Sequence, residues 1–240
     1  FKERKKYYLA KVVEVIEPSD KRMDDKCPYF NKCGGCNLLH LSYNDSIEFK
    51  KEKTNKTFFR YLETDLKNIR VINNLTPFYY RNKISLKVKD GEYGFYEHDS
   101  THLIKIDHCI VAKEAINNLL KVINFLNVNN GEIIIRSNKG NELLISIESA
   151  EKVKPNIKKL IKENKIKGII VNGRKVYGEE NFIETITDYS FQVNYNSFFQ
   201  INNLINEKLF ELIEENIDCF DVVLDLYCGV GTLSIVASKK

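Results

Sequence analysis

The hydrophobic and polar positions change period several times along the chain, and each change marks an element. Residues 7–17 (YYLAKVVEVIE) are β-branched and aromatic with partial alternation and stop at Pro18, which predicts a strand. One strand cannot form a domain, so this stretch is expected to end a domain whose other strands precede Phe1. Periodicity is lost over 19–41, a loop rich in cysteine and glycine. A helix follows. Ser42 is its N-cap with Asp45 three residues on, and Ile47, Lys51, Thr54, Phe58 and Leu62 recur at helical spacing among lysines.

From Tyr79 the pattern becomes sheet-like. Residues 83–89 alternate, Asp90-Gly91 is a hairpin turn, 92–96 returns, and 103–106 is a short strand ending before Cys109. Residues 112–126 read as a helix, 131–137 and 142–149 as a hairpin around Lys139-Gly140, and 155–164 as a helix with Pro155 in its first turn. Short strands are expected at 168–172 and 176–178. The order describes an α+β domain, not a βαβ repeat.

The period changes again near Ser197. Phe198, Ile201, Ile205, Leu209, Leu212 and Ile213 predict one face of a helix reaching about Asn216. The apolar run 222–226 predicts a buried parallel strand, and after Gly229 and Gly231 a second helix starts over 232–238. This is the opening of an α/β unit.

Composition narrows the picture. A hydrophobic fraction of 43% beside 29% charged residues is that of a folded chain. No run of about 18 apolar residues exists, so no membrane span is expected. The basic, aromatic opening lacks the features of a signal peptide, making a cytoplasmic protein the expectation. A net charge of +4 permits a polyanionic partner without demanding one. A monomer is expected.

Cysteine chemistry changes it more. Cys27, Cys33 and Cys36 fall in CPYFNKCGGC, where Gly34 and Gly35 let the backbone fold tightly, and Cys109 in IDHC can close the set from afar. Four thiolates suit zinc or an iron–sulfur cluster, and this asymmetric spacing leans to a cluster. Cys219 reads as core and Cys228 as packed under a turn. His40, His98, His102 and His108 share no metal-binding spacing, although His108 can donate a hydrogen bond near a cluster.

The stretch 221–237 (DVVLDLYCGVGTLSIVA) reads strand, turn, helix, with Gly229 and Gly231 permitting close approach of a nucleotide-type ligand. Asp225 can order the loop or touch the cofactor, and Tyr227 can cover a small ligand face. The motif is neither a full dinucleotide fingerprint nor a P-loop.

Four blocks together resemble the bacterial RNA (uracil-5-)-methyltransferase family, in particular the branch that methylates 23S ribosomal RNA with a [4Fe–4S] cluster. They are CPYFNKCGGCNLLHL from Cys27, YRNK from Tyr80, IDHC from Ile106, and FQVN from Phe191 followed by DLYCGVGT from Asp225. The resemblance implies an OB-like TRAM domain ending at 1–18, a central iron–sulfur RNA-binding α+β domain over 19–190, and the start of a class I, Rossmann-like methyltransferase domain over 191–240. It assigns Cys27, Cys33, Cys36 and Cys109 to the cluster, and Gln192 and Tyr227 to S-adenosyl-L-methionine, beside Asp225, Gly229 and Gly231. Thr232 stands where the family has asparagine and offers one fewer hydrogen-bonding group.

The implied substrate is ribosomal RNA, with Arg81, Lys83, Lys87 and the lysines after Ser42 as basic contacts. The family's nucleophilic cysteine and catalytic glutamate are expected beyond Lys240, so no catalytic residue is assigned and the chain alone is expected to be inactive. Two alternatives stand beside this: a zinc- or cluster-stabilised RNA-binding module without enzymatic activity, and a tRNA uracil-5-methyltransferase.

Overall fold

The computed structural model describes residues 2–4, 7–10, 12–24, 26–66, 68–217 and 220–238. The chain divides into two compact units, one of residues 1–28 and 37–69 and the other of residues 29–36 and 70–240.

In the first unit, β1 (Lys2–Arg4) pairs antiparallel with β2 (Tyr7–Leu9). The long strand expected over 7–17 therefore stops early. Beyond it Val13 and Ile16 are exposed, and among the described residues no strand pairs with 12–17 to bury one face of an alternating pattern. Helix α1 (Tyr43–Leu62) begins where expected: the Ser42 side chain accepts from the Asp45 amide at 3.0 Å. Its expected apolar stripe is not a core face, for Phe58 and Leu62 are exposed and Ser46 is the buried residue of the helix.

The second unit is built on a seven-stranded sheet. Its strands are β3 (Lys83–Lys89), β4 (Glu92–Tyr96), β5 (Leu103–Lys105), β6 (Gly131–Ser137), β7 (Leu143–Glu148), β8 (Ile166–Val171) and β9 (Arg174–Gly178). They lie in the order β5-β4-β3-β6-β7-β8-β9, antiparallel throughout except for the parallel pair β7–β8. Ile84, Leu86, Ile133, Ile135, Ile145 and Ile169 point to one face. That face is covered by α2 (Glu114–Leu120), the 3-10 turn Ile123–Leu126 and α3 (Ile157–Leu160). Both helices are shorter than their sequence suggested; α3 keeps a single turn that seals Leu160 into the core.

A hairpin unforeseen in the sequence, β10 (Asn181–Ile186) and β11 (Tyr189–Asn194), joins Leu144 and Ile170 on the opposite face. Phe182, Tyr189, Phe191 and Val193 alternate inward there and meet Phe210 of α4 (Asn203–Ile217) and Val236 of α5 (Thr232–Ala237). Helix α4 starts later than expected and turns a different face inward. Asn206, Phe210 and Ile217 are buried, at spacings of four and seven, while Phe198 and Leu212 are exposed. The run 222–226 forms no strand: Val222, Leu224 and Leu226 are exposed, and among the described residues no strand pairs with it.

Candidate functional site

Two regions of the second unit gather most of the residues singled out by sequence. The first is the cysteine region. Cys33 forms an isolated bridge with Glu97, and the Gly34 amide donates to the Tyr96 carbonyl at 2.9 Å. A Cβ on Gly34 would meet that carbonyl oxygen at 3.0 Å and the His98 amide nitrogen at 3.2 Å, so the absence of a side chain allows this loop to lie on the end of β4. The Gly35 amide is aimed at the Cys33 sulfur at 3.4 Å.

The Cys109 turn is fixed by a side chain the sequence did not reveal. Buried Asn117 accepts from the Cys109 amide at 2.8 Å and donates to the Cys109 and Ala112 carbonyls. The two cysteine segments are tied by Tyr29, whose hydroxyl donates to Asp107 Oδ1 at 2.6 Å across 78 residues. An asparagine on an otherwise apolar helix face was the one available signal; nothing local marked the Tyr29–Asp107 pair. His108 packs edge-on against Tyr79.

Cys33, Cys36 and Cys109 are half-buried thiols, as is Cys27 in the first unit. Thiols held on hydrogen-bonded turns, one receiving an amide hydrogen bond, fit soft-metal or cluster ligation in chemistry. Among the described residues, no three His, Cys, Asp or Glu side chains are gathered closely enough to hold a metal ion. Cys228 is exposed rather than packed under the turn, and Cys219 lies outside the described residues.

The second region is the glycine turn. Tyr227, Gly229 and Gly231 all have positive φ, near 62°, 60° and 74°. Gly231 caps α5 but has no side chain to satisfy the first-turn amides. Asp225 does this instead, its Oδ2 accepting from the Ser234 amide at 3.2 Å and the Ser234 hydroxyl at 2.6 Å. A carboxylate there also faces the positive end of the helix. Of the two roles open to Asp225, the capping one has its contacts here, through Ser234. Thr232 is half-buried at the helix start, Tyr227 is fully exposed, and Gln192 is exposed on β11 opposite Ile183.

A cleft of about 550 Å³ runs between α4, residues 220–225 and α5. Leu212, Ile213, Ile217, Phe220, Val223 and Leu233 dominate its walls, with Asn216, Asp225 and Ser234 as polar exceptions.

The basic candidates separate. Lys83 and Lys87 share the less buried face of β3, where burial and the neighbouring Arg136 hold the Lys83 ammonium below its usual range. Lys87 is engaged by Glu132 at 2.7 Å. Burial pushes the Glu132 carboxyl up, but hydrogen bonds from Lys87 and Ser85 outweigh it and leave it lowered. Arg81 lies in a seam, bridged to Ala112 and Asn202, with its Nε buried and unpartnered. Asn82 donates to the Gln200 carbonyl at 3.0 Å and to Asn203 Oδ1 at 2.8 Å, fastening the approach to α4 onto the sheet.

No family model matches the sequence. The chain is 30% identical to an uncharacterized RNA methyltransferase of Clostridium acetobutylicum, along 100% of this chain and 61% of that protein. A second, from Clostridium tetani, is 28% identical along 100% of this chain and 60% of its own length. The chain is similar to RNA methyltransferases. It spans about three fifths of the length of these relatives. In fold it matches the crystal structure of Pyrococcus abyssi tRNA (uracil-54, C5)-methyltransferase in complex with S-adenosyl-L-homocysteine. The TM-score is 0.71 and the identity 24%, covering 94% of this chain and 59% of that one. The mixed α/β architecture is thus shared with a solved structure. Among the described residues no helix is long and apolar enough to cross a membrane.

Proposed function

We propose that the protein carrying this chain transfers a methyl group from S-adenosylmethionine to C5 of a uridine in RNA. The observation that carries this reading is the fold common to 94% of the chain and the P. abyssi tRNA enzyme. That enzyme acts on transfer RNA, which favours a transfer-RNA substrate over the 23S ribosomal RNA expected from sequence. S-adenosylmethionine, when bound, supplies an electrophilic methyl on a sulfonium centre.

The chain's own residues would bind and orient it. Gly229 and Gly231 leave the backbone open to close approach, and nothing lies within 4 Å of a Cβ built on Gly229. Asp225 holds the turn through Ser234, and Gln192, Tyr227 and Thr232 offer polar and aromatic contacts. On the RNA side, Arg81, Lys83 and Lys87 are the basic candidates, with Lys83 and Lys87 on the less buried face of β3 and Lys87 also engaged by Glu132. In domain terms, residues 1–18 would close a TRAM-like domain, 19–190 form the RNA-binding part and 191–240 open the methyltransferase domain.

The same reading includes a [4Fe–4S] cluster on Cys27, Cys33, Cys36 and Cys109. The Gly35 amide aimed at Cys33 and the Tyr29–Asp107 tie support it. Its role would be to join distant segments, since methyl transfer from a sulfonium needs no redox step.

The test incubates the protein with methyl-labelled S-adenosylmethionine and unmodified tRNA or 23S rRNA, then measures 5-methyluridine by mass spectrometry of the digested RNA. Product in tRNA is expected. Product only in 23S rRNA would reverse the substrate choice, and product in neither would remove the enzymatic reading. Iron and acid-labile sulfide in equal amounts after anaerobic purification are expected; about one zinc per chain would instead favour the zinc-stabilised module.

A further inference from the structure

Helix α1 exposes more aromatic surface than a solvated helix has reason to. Phe49 is 46% exposed, and Phe58, Phe59, Tyr61 and Leu62 are exposed too, while Ser46 is its buried residue. At about 100° per residue Phe58, Tyr61 and Leu62 lie on the side of the helix away from Phe49, which is the exposed ring of its own face.

The arrangement is ordered. At about 100° per residue, Phe49, Lys53, Lys56 and Arg60 stack along one stripe, four, three and four residues apart. With Glu52 and Thr57 they line a shallow groove of about 270 Å³. The helix carries five cations (Lys50, Lys51, Lys53, Lys56, Arg60) against three acids (Asp45, Glu48, Glu52). The acids are engaged: Asp45 by Ser42 and Lys21, Glu48 by Lys51 at 3.0 Å and Glu52 by Lys56 at 3.5 Å. Among the described residues Lys50, Lys53 and Arg60 have no ion pair.

The helix is also held from another side. Asn55 donates to Asp65 and accepts from the Leu66 amide, both at 2.7 Å, folding the following chain back along a side distinct from the stripe.

Resting on the reading that the substrate is RNA, we propose that this stripe of α1 is a landing surface for single-stranded RNA. A base stacks on Phe49 and phosphates follow Lys53 and Arg60, the cations of the stripe without an ion pair among the described residues. An apolar protein partner would have to desolvate three cations beside the ring, whereas a nucleotide strand supplies a π-face and anions in turn.

The test measures fluorescence anisotropy of a fluorescein-labelled 12-nucleotide single-stranded RNA, and of a duplex of equal length, against the protein carrying this chain. Phe49→Ala is expected to weaken single-strand binding about tenfold, the loss of one stacked base, with the salt slope unchanged. Lys53→Gln with Arg60→Gln is expected to flatten log K against log salt by about 1.4, two phosphate contacts. Both variants should melt with the parent because the replaced side chains are exposed.

Unchanged affinity and slope in both variants would overturn the proposal. So would weakening confined to the duplex, or a shift in oligomeric state showing that the stripe joins two copies. A parent that makes 5-methyluridine with variants that bind like it refutes this surface alone. A parent that binds RNA through the stripe yet methylates neither tRNA nor rRNA refutes the enzymatic reading and leaves the surface standing.

Discussion

Strand β7, Leu143–Glu148, and the run 222–226 are near equals in hydrophobic character, LLISIE against VVLDL, yet they have opposite fates. The first sits between β6 and β8 with Leu143, Leu144, Ile145 and Ile147 all but inaccessible. The second has no ladder partner among the described residues, and its valines and leucines are exposed. A strand is a relation between neighbours. Apolar β-branched sequence makes a segment fit to be buried in a sheet, and the hydrogen-bonding and packing partners decide whether it is.

The largest effect that can test this contrast is a truncation at each place. Ile145→Ala, within a closed core, should cost about 2–5 kcal/mol in urea unfolding, whereas Leu224→Ala should stay within about 0.5 kcal/mol. Equal costs would mean that the second run is packed as tightly as the first. Amide exchange sharpens the same point: 143–148 should exchange only with global unfolding, and 222–226 orders of magnitude sooner.

A middle-sized effect lies where the second run is anchored. Asp225→Ala removes the surrogate cap of α5 and should destabilise the helix by about 1 kcal/mol, while Asp225→Asn, which keeps an acceptor oxygen, should recover part of it. The check is the exchange rate of the amides of 234–237. If Asp225→Ala leaves it unaltered, the Ser234 contact does not hold the turn.

The smallest effect belongs to the packed half. Burial of Glu184 on β10 pushes its carboxyl above the ordinary range, against opposing hydrogen bonds from Asn203 and Lys139 and the charge of Lys113. A raised folded value means the folded chain holds this proton more tightly than the unfolded one. The stabilisation is therefore complete below the unfolded value and is lost as pH rises through the folded one. Glu184→Gln cannot ionise, so its melting temperature relative to the parent should climb across that window. A constant difference from pH 4 to 8 would show that the carboxyl does not titrate there.

Much of the sheet was legible because its signals are local. Asp90-Gly91 turns β3 into β4, Lys139-Gly140 separates β6 from β7, and alternation over 83–89 matches a burial pattern that switches at every residue. The α1 cap was legible for the same reason. The hairpin of Asn181–Ile186 and Tyr189–Asn194 was not foreseen, although Phe182, Phe191 and Val193 alternate inward, because its turn at Thr187-Asp188 carries no glycine or asparagine. For α4 the sequence was read as a face through Ile205, Leu209 and Leu212, whereas packing against Phe191 turned Phe210 inward.

The candidate site divides along the same line. The cysteines and the two turn glycines were singled out from residue type and spacing alone. Sequence by itself determined the elements whose causes lie within a few residues: caps, turns, alternation and the positive-φ glycines. Only the tertiary structure decided that Tyr29 would meet Asp107, that Asn117 would fasten the Cys109 turn, and that Asp225 would cap α5 through Ser234. Those contacts join residues 8 to 78 positions apart, and the free energy that selects them comes from burying the surrounding chain, which no local pattern records.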